Sequence, residues 1–160
     1  MQVGPHHAVG VQLHVAQQFS LRTVIGPDGP VDHPVDVERT LTGWEYYPPA
    51  LGHALRHTRD VTGGVPMLVS ENGIATADDA RRVDYTAGAL AGLAAAVADG
   101  CDVRGYLHWS LLDNYEWGSY RPTFGLIGVD RETFARTPKP SLARRNVLPT
   151  TQAPDPVAGG

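Results

Sequence analysis

The sequence of 160 residues contains a single cysteine, Cys101. One cysteine excludes an intrachain disulfide and a metal site built from several thiolates. No stretch approaches the roughly 18 uninterrupted apolar residues that a membrane-spanning helix needs. The first ten residues lack the basic region followed by an apolar region that marks a secretory signal peptide. These absences predict a soluble protein of the cytoplasm.

Positive charge is also scarce. Lysine and arginine total 13 residues against 17 aspartates and glutamates, which gives a formal net charge of −4. That balance gives a nucleic acid or an anionic membrane no electrostatic attraction. With 42% hydrophobic and 19% charged residues, the composition is that of one globular domain.

Helical and strand patterns alternate along the chain. Helices are predicted over 49–60, 79–99 and from about residue 140, strands over 8–11, 65–69 and 103–110, and a short extended piece over 125–130. This alternation predicts an α/β architecture with right-handed crossovers. Residues 1–21 form an uncertain N-terminal segment, and the Pro- and Gly-containing stretch 149–160 is predicted to be a disordered tail.

For one strand and one helix, the sequence also predicts which faces are buried. The strand at 65–69 is apolar throughout, which is typical of a parallel-sheet strand buried on both faces beneath helices. The helix at 79–99 is predicted to bury a stripe made of Val83, Leu90, Leu93, Ala94 and Val97. Two or three parallel strands cannot close a barrel, so the pattern is that of a part of a larger α/β fold.

Polar residues follow both confident strands, at the end where α/β folds place their sites. The first strand ends in Ser70, Glu71 and Asn72. A carboxylate in that position costs free energy unless it has partners or a chemical task. A strand-end acid that merely faces solvent is an equally good reading of the spacing alone.

The second strand runs into an aromatic and acidic cluster over 109–117, which holds Trp109, Glu116 and Trp117. Aromatic rings stack on the apolar face of a pyranose, and acids or amides bind adjacent hydroxyls. The alternative is that the tryptophans are large core residues, which suits Trp109 better than Trp117. The cluster therefore favours a sugar pocket.

Four motifs in order give a specific resemblance. Residues 69–73 (Val-Ser-Glu-Asn-Gly), 104–117 (Arg-Gly-Tyr-Leu-His-Trp-Ser-Leu-Leu-Asp-Asn-Tyr-Glu-Trp), 124–139 and 43–48 (Gly-Trp-Glu-Tyr-Tyr-Pro) resemble landmarks of glycoside hydrolase family 1, the β-glucosidases and their relatives. The resemblance runs from about residue 22 to residue 142. It implies that 22–148 is the C-terminal part of a (β/α)8 TIM barrel, about strands six to eight.

The resemblance also implies roles for individual residues. Glu71 would be the nucleophile of a retaining mechanism, supported by Asn72. Three further residues would form the sugar pocket together with Trp117, whose indole N–H would help bind hydroxyls. These are Glu116 as the hydroxyl acceptor, Trp109 as the stacking wall and Phe124 as part of the lining. Trp44 and Glu45 are interpreted as structural in preference to a leaving-group contact.

A retaining glycosidase needs a second carboxyl group as acid/base, which the family carries in an Asn-Glu-Pro motif. The sequence contains no Asn-Glu-Pro. The loop 118–123 is one residue shorter than the family pattern, and Thr123 stands where arginine is typical, which leaves the substrate preference open. The 160-residue chain is therefore expected to be inactive alone and to need the N-terminal portion of a barrel as its partner.

Other readings remain open at this stage. The chain could be a non-catalytic carbohydrate-binding remnant or a non-functional truncated product. The substrate would be a β-glycoside or oligosaccharide, with glucose as the expected glycone and galactose or fucose as alternatives. No cofactor and no metal are expected, because His53 and His57, four residues apart on a predicted helix, have no convincing acidic partner.

Overall fold

The computed structural model describes residues 9–11, 25–26, 29–30, 37–116 and 118–144. Its strands are β1 (Val9–Val11), β2 (Ile25–Gly26), β3 (Gly29–Pro30), β4 (Met67–Asn72), β5 (Val103–His108), β6 (Ile127–Val129) and β7 (Arg136–Pro138). Its helices are α1 (Ala50–Thr62), α2 (Asp79–Ala98) and α3 (Pro140–Arg144). The tail at 149–160 and Trp117 lie outside the described residues, and the predicted domain limits stay predictions.

Three strands form a parallel sheet in the order β1-β4-β5, which confirms the α/β class. Val11 of β1 pairs with Val69, and Leu68 pairs with Gly105. The central strand begins at Met67, two residues later than predicted, because Pro66 has no amide hydrogen to donate to the ladder. The described residues contain no closed barrel.

Both long helices were predicted, and their ends follow local rules. Helix α1 stops at Gly63, whose φ of 73° places it in the left-handed region that glycine tolerates. Helix α2 starts after Asp78, whose carboxylate accepts a hydrogen bond from the amide of Ala80 at 2.9 Å. Neither these helices nor any other in the described residues is long and apolar enough to cross a membrane.

The core lies between the two long helices and one face of the sheet. Leu51 and Leu55 of α1 pack with Met67 and Val69 of β4, and all four are at most 1% exposed. Leu107 of β5 is 56% exposed. The described helices cover the face that carries Met67 and Val69, whereas Leu68 on the other face is half-buried, so the predicted burial of both faces is met only in part.

The predicted stripe on α2 is confirmed only in part. The buried side chains are Arg82, Tyr85, Ala89 and Ala96. Of the predicted stripe, Leu93 does pack against the core, whereas Val83 and Leu90 are half-buried and Ala94 and Val97 are exposed. Val97 is 41% exposed. The helix turns small residues inward because it packs tightly on α1: a Cβ built on Gly52 would lie 2.7 Å from the carbonyl oxygen of Gly92.

The C-terminal part folds back on the end of β5. Strands β6 and β7 pair in antiparallel fashion, with Gly128 opposite Thr137. The extended piece around β6 and the helix from Pro140 are confirmed, whereas β7 was not predicted. Its three residues are fully on the surface, so they carry no alternation of apolar and polar positions that a sequence pattern could reveal.

Candidate functional site

Glu71 is the penultimate residue of β4 and is half-buried. Asn72, which follows it, is 4% exposed, and its side-chain oxygen accepts a hydrogen bond from the Tyr106 hydroxyl at 3.1 Å. The Asn72 carbonyl accepts from the amide of Trp109 at 2.9 Å. The ends of β4 and β5 are therefore tied together, and the segment with Glu71 is fixed relative to the segment with Trp109.

Glu116 is held by two donors on the same carboxylate oxygen. The indole Nε1 of Trp109 and the amide Nδ2 of Asn114 each donate to Oε1 at 2.7 Å. Hydrogen bonds to an ionised carboxylate are short and stronger than neutral ones. The sequence predicted that Trp109 and Glu116 share a pocket, but it gave no sign that they bond to each other or that Asn114 joins them.

An open cleft lies beside Glu116 and has a volume of about 380 Å³. Seven residues from two segments line it: Leu41, Thr42, Trp44, Glu116, Ser119, Arg121 and Pro122. Trp44, interpreted from the sequence as structural, thus also forms a wall next to the predicted sugar-binding acid. The cleft brings together an aromatic ring, a carboxylate and a guanidinium, which is the chemistry that binds hydroxyl-bearing rings.

Phe124 lies below this cleft and not in its lining. It is 2% exposed, and its ring centroid is 6.3 Å from that of Trp44, with the planes tilted by 51°. The side chain supports the Trp44 wall from behind. Any role in contacting a sugar stays a prediction.

Asp113 is one of the acids in the predicted cluster, and its carboxylate is paired with a lysine. It is 8% exposed and forms a salt bridge with Lys139 at 2.8 Å. Its Oδ1 also accepts from the amide of Gly125 at 2.8 Å. A carboxylate neutralised in this way has a structural task and is not available to react with a substrate.

A buried arginine connects the two loops that leave β4 and β5. The Nη2 of Arg82 donates to the carbonyls of Thr76 at 3.1 Å and Thr123 at 2.5 Å. Its Nη1 bonds to Asp79, which also accepts from the amide and hydroxyl of Ser141 at 2.7 and 2.8 Å. Burial raises the pKa of Asp79, but the bonds from Ser141 and Arg82 outweigh it and leave that pKa below its usual value.

Asp79 should therefore make stability depend on pH. Its lowered pKa means that it stabilises the fold above the unfolded pKa of about 3.9, and that this stabilisation is lost as the pH falls through the folded value. We expect the difference in unfolding free energy between the native chain and Asp79→Asn to be largest near neutral pH and to shrink below about pH 5. Urea titrations at several pH values measure it, and a difference that grows toward acid pH would contradict the assignment.

Sequence reasoning missed Arg82 and Lys139, and it noted Asn114 only as one polar residue of the 109–117 cluster. A signal existed for Arg82: it stands seven and fourteen residues before Ala89 and Ala96, on the face that small residues mark as closely packed. Among the described residues, no group of three or more His, Cys, Asp or Glu is placed to hold a metal ion.

Comparison with known proteins gives consistent matches. The model of glycosyl hydrolase family 1 matches residues 12–145. A bifunctional β-D-glucosidase/β-D-fucosidase of Bifidobacterium breve is 38% identical over 117 residues, which are 64% of this chain and 25% of that protein. A β-galactosidase of Sulfolobus acidocaldarius is 40% identical over 114 residues, covering 67% of this chain and 23% of that protein.

Solved structures of β-glucosidases also resemble the chain. The β-glucosidase from Thermotoga maritima in complex with glucoimidazole is 31% identical, with a TM-score of 0.69 over 76% of this chain and 30% of that one. The chain spans about a quarter of the length of the curated relatives that it matches. Each motif used above lies within the matched range.

Proposed function

Because the chain belongs to glycosyl hydrolase family 1, we propose that it forms about strands six to eight of a (β/α)8 barrel and contributes Glu71 to a retaining β-glycosidase. In this proposal β1, β4 and β5 are consecutive barrel strands, with α1 and α2 outside them. The parallel order and the single helix-covered face support it, because a barrel keeps helices outside and side chains inside. A cytoplasmic location stays a prediction.

The reaction has two steps. A Glu71 oxygen attacks the anomeric carbon, the bond from that carbon to the leaving-group oxygen breaks, and an acid gives that oxygen a proton. Water then attacks the same carbon, gives a proton to the same group acting as base, and releases Glu71 as a carboxylate. Two inversions at one carbon return the original configuration, so the product is the β-sugar.

Three side chains are proposed to hold the sugar during these steps. Glu116 accepts hydrogen bonds from hydroxyls at the far end of the glycone, assisted by the Trp117 indole. Trp109 forms the stacking wall. The bonds from Trp109 and Asn114 to one oxygen of Glu116 support this role, because they fix the carboxylate before substrate arrives.

The second carboxyl group is proposed to come from the part of the barrel that this sequence does not contain. The absence of Asn-Glu-Pro supports this, as does the matching of the chain to about a quarter of its relatives' length. Without a proton donor, the isolated chain should not cleave a glycoside whose leaving group is a poor one.

The observation that carries the proposal is Glu71 at the end of a central parallel strand, tied through Asn72 to Trp109. An activated inhibitor tests it, because dinitrophenolate leaves without a proton. We expect the chain to acquire one 2-deoxy-2-fluoroglucosyl group from 2,4-dinitrophenyl 2-deoxy-2-fluoro-β-D-glucoside, on the peptide that contains Glu71, as read by mass spectrometry of a digest.

Two variants control this labelling. Glu71→Gln should remain unlabelled, and Glu45→Gln, which changes another partly buried glutamate, should be labelled like the native chain. Label on a peptide without Glu71 would overturn the assignment of the nucleophile. The galactosyl and fucosyl analogues of the inhibitor determine the glycone in the same way.

A non-catalytic carbohydrate-binding chain is the second candidate. The cleft at Glu116 favours it, because Trp44 and Arg121 form it without Glu71 in its lining. Binding of glucoimidazole without labelling of Glu71 would support this reading. Neither binding nor labelling would indicate a non-functional truncated product.

A further inference from the structure

We propose that Lys139 is a positioning residue that fixes the sugar-binding carboxylate Glu116 through Asp113. This inference rests on the proposed function for its link to sugar binding, although its geometry stands on its own. The Nζ of Lys139 lies 2.9 Å and 2.8 Å from Oδ1 and Oδ2 of Asp113, so one ammonium bridges both oxygens. The lysine side chain is 19% exposed and the aspartate 8%.

Asp113 is the point where the loop that carries Glu116 attaches to the rest of the fold. Its amide donates to the Ile127 carbonyl at 3.0 Å, and its Oδ1 accepts from the Gly125 amide at 2.8 Å. The fit is close, because a Cβ on Gly125 would lie 2.2 Å from the Asp113 nitrogen. The two segments therefore meet backbone to backbone, and a carboxylate is buried at the junction.

The two donors to Glu116 stand on either side of this attachment. Asn114 follows Asp113 directly, and Trp109 precedes it by four residues in the same loop. Ser110 extends the connection, since its hydroxyl donates to the Leu112 carbonyl at 2.7 Å. Because the Asn72 carbonyl holds the backbone of Trp109, a shift of Asp113 moves Asn114 and Glu116 relative to the Trp109 indole.

Charge explains why a lysine is needed. A buried carboxylate without a cation costs several kcal/mol and would draw water or move outward. Lys139 also donates its backbone amide to the Leu126 carbonyl at 2.9 Å, so its own position is set by the β6–β7 hairpin. The Lys139–Asp113 ion pair thus links the C-terminal hairpin to the loop that carries Glu116.

The indole N–H of Trp109 reports this geometry directly. In the NMR spectrum of a chain labelled with 15N-tryptophan, the indole signal that disappears in Trp109→Phe belongs to Trp109. The chemical shift of this signal in Glu116→Gln is the reference for a weakened hydrogen bond to residue 116. We expect Lys139→Met to move the signal toward the Glu116→Gln position and to raise the Kd for glucoimidazole about tenfold. Lys139→Arg should keep the native signal, because it keeps the charge.

Two further variants separate positioning from general stability. Arg136→Met changes an exposed cation of the same hairpin and should leave the signal in place. Asp113→Asn combined with Lys139→Met removes both charges of the ion pair, so no carboxylate is left buried without a cation. The double variant should therefore fold even where Lys139→Met does not, and it should still show the displaced signal.

The possible outcomes distinguish the positioning role of Lys139 from the proposed sugar site. A native indole signal in folded Lys139→Met, or in the double variant, would overturn the positioning role. A displaced signal in a chain whose native form binds no glucoimidazole would keep the role of Lys139 and contradict the proposed sugar site. A displaced signal with an unchanged Kd would show that the position of Glu116 does not matter for binding, and would overturn the inference.

Discussion

Arg82→Met is expected to lower the free energy of unfolding by about 3–5 kcal/mol, because it removes the buried partner of an ion pair and leaves the half-buried Asp79 without its cation. The guanidinium is 1% exposed, and it also satisfies the carbonyls of Thr76 and Thr123. Methionine fills much of the same volume, so the loss comes from charge and hydrogen bonds and not from a cavity. Urea unfolding followed by circular dichroism measures it.

The neighbouring residue is a matched control. Arg81 also forms a salt bridge, with Glu38, but its side chain is 34% exposed and that of Glu38 is 57% exposed. Exposed ion pairs contribute about 0–1 kcal/mol. The Arg81 guanidinium also lies 3.9 Å from the centre of the Tyr46 ring, a contact that contributes about 0.5–1 kcal/mol. Arg81→Met should therefore lower the unfolding free energy by no more than about 2 kcal/mol. Equal losses for the two variants would contradict the structural role given to Arg82.

Gly73→Ala is expected to cost about 3 kcal/mol or more and to disturb the site as well. A Cβ at this position would lie 1.8 Å from the carbonyl oxygen and 2.9 Å from the carbonyl carbon of Trp109. Both atoms are backbone, so no side chain can rotate away. The end of β4 would have to separate from the segment that carries Trp109, which should raise the Kd for glucoimidazole.

Gly128→Ala is the control for this change. It lies in β6, and its added Cβ would meet nothing closer than 3.6 Å. It should therefore leave both the unfolding free energy and the affinity nearly unchanged. If Gly73→Ala behaved like Gly128→Ala in urea titrations, the close packing of the two strand ends would be wrong.

Much of this architecture could be predicted from the sequence. Turn residues and apolar runs located α1, α2, β4 and β5, because each of these elements has a local pattern of its own. Glu71 was a candidate because a carboxylate at the end of an apolar strand costs free energy unless it has partners or a chemical task, although the spacing fitted a solvent-facing acid equally well. The family motifs then supplied roles that no local pattern could give.

The rest depended on packing between distant segments. The face of α2 was misjudged because large apolar residues were expected inside, whereas the close approach to α1 selects alanine and glycine. Arg82 and Lys139 were missed because charged residues are usually solvated, and their partners lie in other loops. Phe124 was expected in the pocket lining from the family resemblance alone, and no local pattern indicated its contact with the distant Trp44 ring.

The most direct test of the central claim, a nucleophile at Glu71 without its acid/base partner in this sequence, compares two substrates on the isolated chain. We predict that methyl β-D-glucoside is not cleaved. With 2,4-dinitrophenyl β-D-glucoside and azide, dinitrophenolate should be released and β-glucosyl azide formed, because azide needs no general base to open the ester on Glu71. Hydrolysis of methyl β-D-glucoside that disappears in Glu71→Gln would contradict the claim, because it would require a proton donor within these 160 residues.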